Sequence, residues 1–172
     1  MQEKKLNSSD SLEESLEYSI YLLLKKYQIT LTTAESATGG MIASTLINVP
    51  GISEFFTEGY VTYSNAAKVK MIHVDPNTIE RYGVVSAETA YDMAESAVRT
   101  AGCDASLSVT GVAGPDGGTE DCPVGLVYIG CHLSGKTVTE RHIFEGDRMV
   151  VRQSATKAAL LLLKKMLEGE EA

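Results

Sequence analysis

Cysteine is scarce in this chain, three in 172 residues, and the scarcity excludes two ways of holding a fold together. Cys103, Cys122 and Cys131 are odd in number, widely spaced and form no Cys-x-x-Cys pair. Neither a disulfide framework nor a structural zinc site is expected from them. Histidine is equally sparse: His73, His132 and His142 are scattered, and no metal or other cofactor is expected. Basic residues are also short, 15 Lys and Arg against 23 Asp and Glu, a formal net charge of −8. Such a field repels phosphate polymers and acidic membrane surfaces, which argues against a nucleic-acid or membrane partner. A small anionic ligand is compatible only where local groups reverse the field. Finally, no apolar run reaches membrane-spanning length, and Met1 to Asp10 lacks the apolar core of a secretory signal. The reading is a cytoplasmic protein.

What is present suits one α/β domain over residues 1–172, since the length allows one well-buried core and not two ordinary ones. Ser11 reads as the cap of a helix carrying Leu12, Leu16, Ile20, Leu23 and Leu24 and ending near Lys26. Gln28 to Ala34 reads as a strand, and a helix bearing Met41, Ile42, Leu46 and Ile47 follows. After the Asn48-Val-Pro-Gly51 turn, Phe55 to Tyr63 reads as extended, then short helical pieces run between Ser64 and Tyr82. A helix capped by Ser86 runs towards Thr100, its apolar face set by Ala90, Met93, Ala94, Ala97 and Val98. Ala105 to Val112 is expected as a strand. Pro123 to Leu133 and Thr137 to Phe144 are expected as a hairpin around Ser134-Gly135-Lys136. Asp147 to Leu167 is a long helix, with a frayed acidic tail over Glu168 to Ala172. Helices alternating with strands early and a hairpin late predict a three-layer α/β/α sandwich over a mixed sheet. The apolar run Leu160 to Leu163, with Met166 and Leu167, is rich enough for a core and a subunit interface together. A homodimer is expected on that ground, the alternative being that the stripe is entirely core.

Three constellations can carry chemistry. In Glu35-Ser-Ala-Thr-Gly-Gly40 a strand stops where an apolar helix begins, which can hold the Ser36 hydroxyl exposed beside the unpaired N–H groups of a helix start. The plain alternative is that Ser36 or Thr38 caps that helix and Gly39 and Gly40 permit tight packing. In Tyr60-Val-Thr-Tyr-Ser-Asn-Ala-Ala-Lys68, Ser64 or Asn65 can cap a helix with Lys68 about one turn inside, where a lysine is ordinarily solvated. The third joins the loop Thr110-Gly-Val-Ala-Gly-Pro-Asp-Gly-Gly118 to a helix start bearing Arg148 and Arg152 one turn apart. Neither glycine loop matches the phosphate-loop or dinucleotide fingerprint.

Taken in order, Glu35 to Gly40, Val61 to Lys68, Gly83 to Ser86, Thr110 to Gly118 and Gly146-Asp147-Arg148 are collinear with the motifs of one family. Over residues 12 to 167 the chain resembles the CinA C-terminal domain family, whose standalone members look like nicotinamide-nucleotide amidases. The resemblance implies hydrolysis of the carboxamide of nicotinamide mononucleotide to nicotinate mononucleotide and ammonia. It implies Ser36 as nucleophile, Lys68 as its base, and Tyr63, Thr110 and Arg148 in the same site. Many members have Cys where this chain has Ala37, so a thiol at that position cannot be the nucleophile here. Cys122 replaces a Lys usual before the Pro-Val-Gly motif, here Pro123-Val124-Gly125.

That chemistry needs a base for the serine proton and an acid for the departing nitrogen. Lys68 can do both if desolvation and the nearby Arg148 charge bring its pKa towards roughly 7 to 8. Tyr63 can relay the proton or align Ser36. N–H groups around Thr38, Gly39 and Gly40 are candidates for an oxyanion hole. Candidates for the phosphate are glycine-rich backbone around Gly114, Gly117 and Gly118, helix N-termini and the two arginines, with Gly111 counted among the substrate-binding residues. A different class of function is a non-catalytic domain that binds a mononucleotide with the same loops for regulation.

Overall fold

A computed structural model describes residue 12 and residues 14–169. Five strands form one sheet in the order β2-β1-β3-β4-β5, where β1 is Leu31–Glu35, β2 Phe56–Val61, β3 Ala105–Gly111, β4 Leu126–Leu133 and β5 Lys136–Ile143. β2, β1 and β3 run parallel, and β4 and β5 continue the sheet antiparallel. The sheet is therefore mixed and lies between two helical layers, as the alternation of elements predicts. Helices α1 (Leu16–Tyr27), α2 (Met41–Leu46) and α6 (Arg148–Leu167) pack together on one face. Helices α3 (Asn65–Ile72), α4 (Pro76–Tyr82) and α5 (Ala87–Ala101) cover the other. No helix of the described residues is long and apolar enough to cross a membrane.

Several boundaries differ from the sequence reading, each for a local reason. The expected cap Ser11 lies outside the described residues; α1 is capped by Ser15, whose Oγ accepts from the Tyr18 N–H at 3.2 Å. Gln28, expected to open a strand, instead closes α1 in the left-handed conformation, φ 54°. The hairpin turn is the two residues Ser134 and Gly135, both with positive φ, the geometry that matches the twist of the flanking strands.

The two faces of β3 show how unequal the layers are. Ala105, Leu107 and Val109 point into the larger core, with Ile129 and Cys131 of β4, Leu24 of α1 and Leu163 of α6. Ser106 and Ser108 point the other way and donate to the Ala94 and Ala90 carbonyls of α5 at 2.8 and 2.6 Å. Serine and alanine at this contact let α5 lie close to the sheet, so a polar strand face is buried with its hydroxyls satisfied. In the long apolar run of α6, Leu160, Leu162, Leu163 and Leu167 are buried and Leu161 is exposed. The surface from which a homodimer is expected thus belongs mostly to the core.

Gly130 of β4 is a tight point of this contact, because a Cβ there would run into Ser108 Oγ and stand 2.6 Å from the Ala90 carbonyl oxygen. Gly130→Ala is expected to push α5 off the sheet at a cost of about 1–3 kcal/mol. A thermal melt should show a drop of several degrees, whereas Gly135→Ala, with open space around it, loses only what its positive φ demands.

Candidate active site

From β1 the chain crosses to β2 on one side, and from β2 it returns over β1 to β3 on the other. A crevice forms where such a course reverses, at the carboxyl ends of the parallel strands. Ser36 follows β1 directly, and its N–H still pairs with the Val109 carbonyl of β3 at 3.0 Å. Thr62 and Tyr63 follow β2, while Thr110 and Gly111 end β3. Three strand ends therefore deliver their residues to one place.

Lys68 reaches the same place from α3. Ser64 Oγ caps that helix by accepting from the Ala67 N–H, and Lys68 and Ile72, one turn apart on one face, both have 0 % exposure. Ile72 packs with Ala34, Met93 and Ala97. The same packing draws Lys68 under the strand ends, so this lysine is buried and not solvated. Its Nζ lies 2.8 Å from the Thr62 carbonyl oxygen and 3.1 Å from Ser36 Oγ. Burial pushes the ammonium down from 10.5 to about 8. Desolvation alone is the cause, and the expected assistance from Arg148 is absent. The ammonium donates to both oxygens; the neutral amine can donate to Thr62 and accept the Ser36 proton on its lone pair.

The turn after Ser36 is held by two charged side chains. Glu35, 1 % exposed, accepts from the N–H groups of Gly40, Ile42 and Ala43 at 2.9, 3.0 and 2.9 Å. Its carboxylate thus fills the start of α2, so the anion site expected at that helix start is taken by the protein itself. Arg152 donates from Nε to the Ala37 carbonyl at 3.1 Å and from Nη2 to the Thr38 carbonyl at 2.7 Å. The Gly39 N–H closes the turn on the Ser36 carbonyl at 3.1 Å. Of the N–H groups considered for an oxyanion, those of Gly39 and Gly40 are engaged. That of Thr38, and that of Ala37, which sequence reasoning did not name, have no partner among the described residues.

A cavity of about 250 Å³ opens beside Ser36 and Lys68 and is also lined by Tyr63, Thr110, Gly111 and Arg148. Thr38, Gly39, Gly40, Gly114, Gly117 and Gly118 do not line it. Gly114 supports it indirectly, since its carbonyl accepts from Arg148 Nη1 at 2.7 Å. Arg148 Nη2 donates to the Tyr63 hydroxyl at 3.1 Å, which occupies Tyr63 with Arg148 and not with Ser36. Thr110 donates to the Val84 carbonyl at 2.6 Å and so ties the loop before α5 to β3. Val84, Val85 and Ala113, which fall inside the motifs Gly83 to Ser86 and Thr110 to Gly118 but carry no assigned role there, also line the cavity, and sequence reasoning missed the Thr62 carbonyl. A main-chain oxygen leaves no signal in residue type. Lys68 and Arg148 are the charged residues of the lining. A larger cleft of about 570 Å³ beside α4 and α5 contains Asp75, Glu88, Asp92 and Glu95 and none of the predicted site residues.

Residues 13–167 match the CinA C-terminal domain family, and the chain belongs to that family. A CinA-like protein of Kosmotoga olearia is 47% identical over 155 residues, 90% of this chain and 38% of the relative. A protein of Alkaliphilus metalliredigens named for competence-damage induction is 53% identical over 145 residues, 84% of this chain and 35% of the relative. The chain therefore spans under two fifths of the length of these relatives. A crystal structure of a competence-damaged protein (CinA) superfamily member from Klebsiella pneumoniae superposes with TM-score 0.86. It is 31% identical and covers 90% of this chain and 96% of its own. The Escherichia coli member gives TM-score 0.81 at 35% identity over 95% of both chains. These names refer to competence and damage and state no reaction.

Lys68 carries a stability consequence whatever the reaction. Its folded pKa lies below its unfolded one, so the charged amine destabilises the fold by roughly 3 kcal/mol at pH below about 8. Between about 8 and 10.5 the unfolded chain keeps a proton the folded one has lost, and stability rises with pH. Lys68→Met is expected to unfold at higher denaturant than wild type at pH 7. The gap should narrow as pH climbs through that window, as read by urea titration at several pH values.

Proposed function

We propose that this domain is an amidohydrolase that converts nicotinamide mononucleotide to nicotinate mononucleotide and ammonia, with Ser36 as nucleophile and Lys68 as general base and acid. The observation that carries the reading is the 3.1 Å contact between Ser36 Oγ and a fully buried Lys68 Nζ at a cavity wall. A serine alcohol needs a base that is uncharged near neutral pH, and desolvation supplies one. The carboxamide substrate is the one implied by the five collinear motifs. A cavity of about 250 Å³ suits a flat ring with its amide, leaving the sugar phosphate to the exposed Arg148 at the mouth.

Ser36 Oγ adds to the amide carbon as its proton passes to Lys68. The resulting oxyanion is taken by the N–H of Ala37, which lines the cavity, with the N–H of Thr38 next along the turn as second donor, a contribution of a few kcal/mol per donor in related chemistry. Lys68 returns the proton to the nitrogen, the C–N bond breaks, and ammonia leaves a nicotinoyl ester on Ser36. Water then adds to the ester carbon, giving one proton to Lys68, which passes it to Ser36 Oγ as the carboxylic acid departs and ionises in solvent. The sum is amide plus water to acid plus ammonia.

Purified protein is expected to release ammonia from nicotinamide mononucleotide far faster than from free nicotinamide. Ser36→Ala should remove that activity by roughly 10³-fold or more, with Lys68→Ala close behind and both proteins folded by circular dichroism. Full turnover in either variant would overturn the mechanism. Thermal stabilisation by the nucleotide with no ammonia release would point to the non-catalytic binding domain. The kcat/KM should climb tenfold per pH unit and level off above about 8, because the productive amine is the deprotonated one.

A further inference from the structure

Arg152 is half-buried one turn beyond Arg148 on α6, and it does not line the cavity. Its guanidinium spans 115 positions to the turn that presents Ser36, taking the Ala37 carbonyl on Nε and the Thr38 carbonyl on Nη2. Fit is close at this point, since a Cβ on Gly39 would stand 3.3 Å from Nη2. We infer that Arg152 is a positioning residue that orients the Ala37 and Thr38 N–H groups as the oxyanion hole of the Ser36 centre.

Peptide geometry carries the step. The bonds from Ser36 to Gly39 are trans, so within each unit the carbonyl and the N–H point in opposite directions. The Ala37 carbonyl and the Thr38 N–H share one unit. Arg152 holds the carbonyl, and the N–H is turned away from it. The Ser36 carbonyl and the Ala37 N–H share the preceding unit, whose carbonyl is held by the Gly39 N–H at 3.1 Å. Arg152 fixes that arrangement too, because the Thr38 carbonyl it grips belongs to the same unit as the Gly39 N–H. Both free N–H groups therefore owe their direction to contacts on their carbonyl side. A cation bound at a carbonyl also polarises the peptide, which strengthens the N–H as a donor. Arg148, four residues earlier, faces the cavity itself. The two arginines divide the work on one helix.

This inference rests on the Ser36–Lys68 reading, and its test separates the two. Wild type, Arg152→Met and Arg152→Lys are compared for ammonia release, for fluorophosphonate labelling of Ser36 by intact mass, and for inhibition by phenylboronic acid, whose Ser36 adduct places an oxygen where the oxyanion forms. For Arg152→Met a loss of about 100-fold in kcat is expected with KM nearly unchanged. Boronate inhibition should weaken by a similar factor, and the pH limb set by Lys68 should stay in place. Arg152→Lys, which reaches one carbonyl, should lose about 10-fold, and it decides the matter if the Met variant fails to fold. Turnover within about threefold of wild type in a folded Met variant, or in the Lys variant if that alone folds, would overturn the inference. So would a rise in KM with kcat unchanged. If wild type is labelled at Ser36 but releases no ammonia, the substrate reading fails alone, and labelling rates replace kcat in the comparison. If wild type is neither labelled nor active, both readings fall.

Discussion

An amine with no solvent exposure, held between a main-chain carbonyl and a serine hydroxyl, sets the terms for the rest of this domain. Removing a lysine head from water disfavours its charged form, and nothing of opposite sign stands by to restore it. The fold tolerates this because Lys68 finds two hydrogen-bond acceptors and because its helix is anchored one turn later by Ile72 in an apolar cluster. The centre is thus a local instability carried by the packing around it, which is how a lysine becomes a base near neutral pH.

The sheet topology explains why the two groups meet. β1 and β2 are parallel neighbours, so the residues following them emerge at the same edge. The connections after these strands run on opposite faces, α2 on one side and α3 on the other. Ser36 is therefore approached from beneath by a helix that starts at Asn65. Ser106, Ser108 and Gly130 seat α5 close against the face of the sheet, and the cavity beside Ser36 and Lys68 lies at the strand ends.

Charge is used at short range. The chain carries −8 overall, yet the charged residues of the cavity wall are both basic, so the local field is opposite to the global one. Glu35 and Arg152 serve the backbone: one takes the N–H groups at a helix start, the other takes two carbonyls of the same turn. An acidic and a basic side chain grip the serine turn from its two polar sides. Substitution at either would move Ser36 without touching a substrate.

Much of this was legible in the residues. Alternating apolar patterns placed the strands and helices, the Ser86 cap lies where expected, Asp147, read as the first residue of the long helix, is its cap, and the Ser-Gly hairpin follows from conformational preference alone. These are local matters, settled by steric allowance and by hydrogen bonds between near neighbours. The site was legible only as a set of motifs. That Lys68 is buried, that Thr62 offers a carbonyl, that Glu35 occupies the helix start and that Arg152 reaches across 115 positions depend on which strand lies beside which. The sequence by itself determined the elements, the polar residues at their ends and the family. Tertiary structure alone decided which of those residues share a cavity and which hold its walls, because distance, desolvation and the direction of a peptide N–H exist only once the layers have packed.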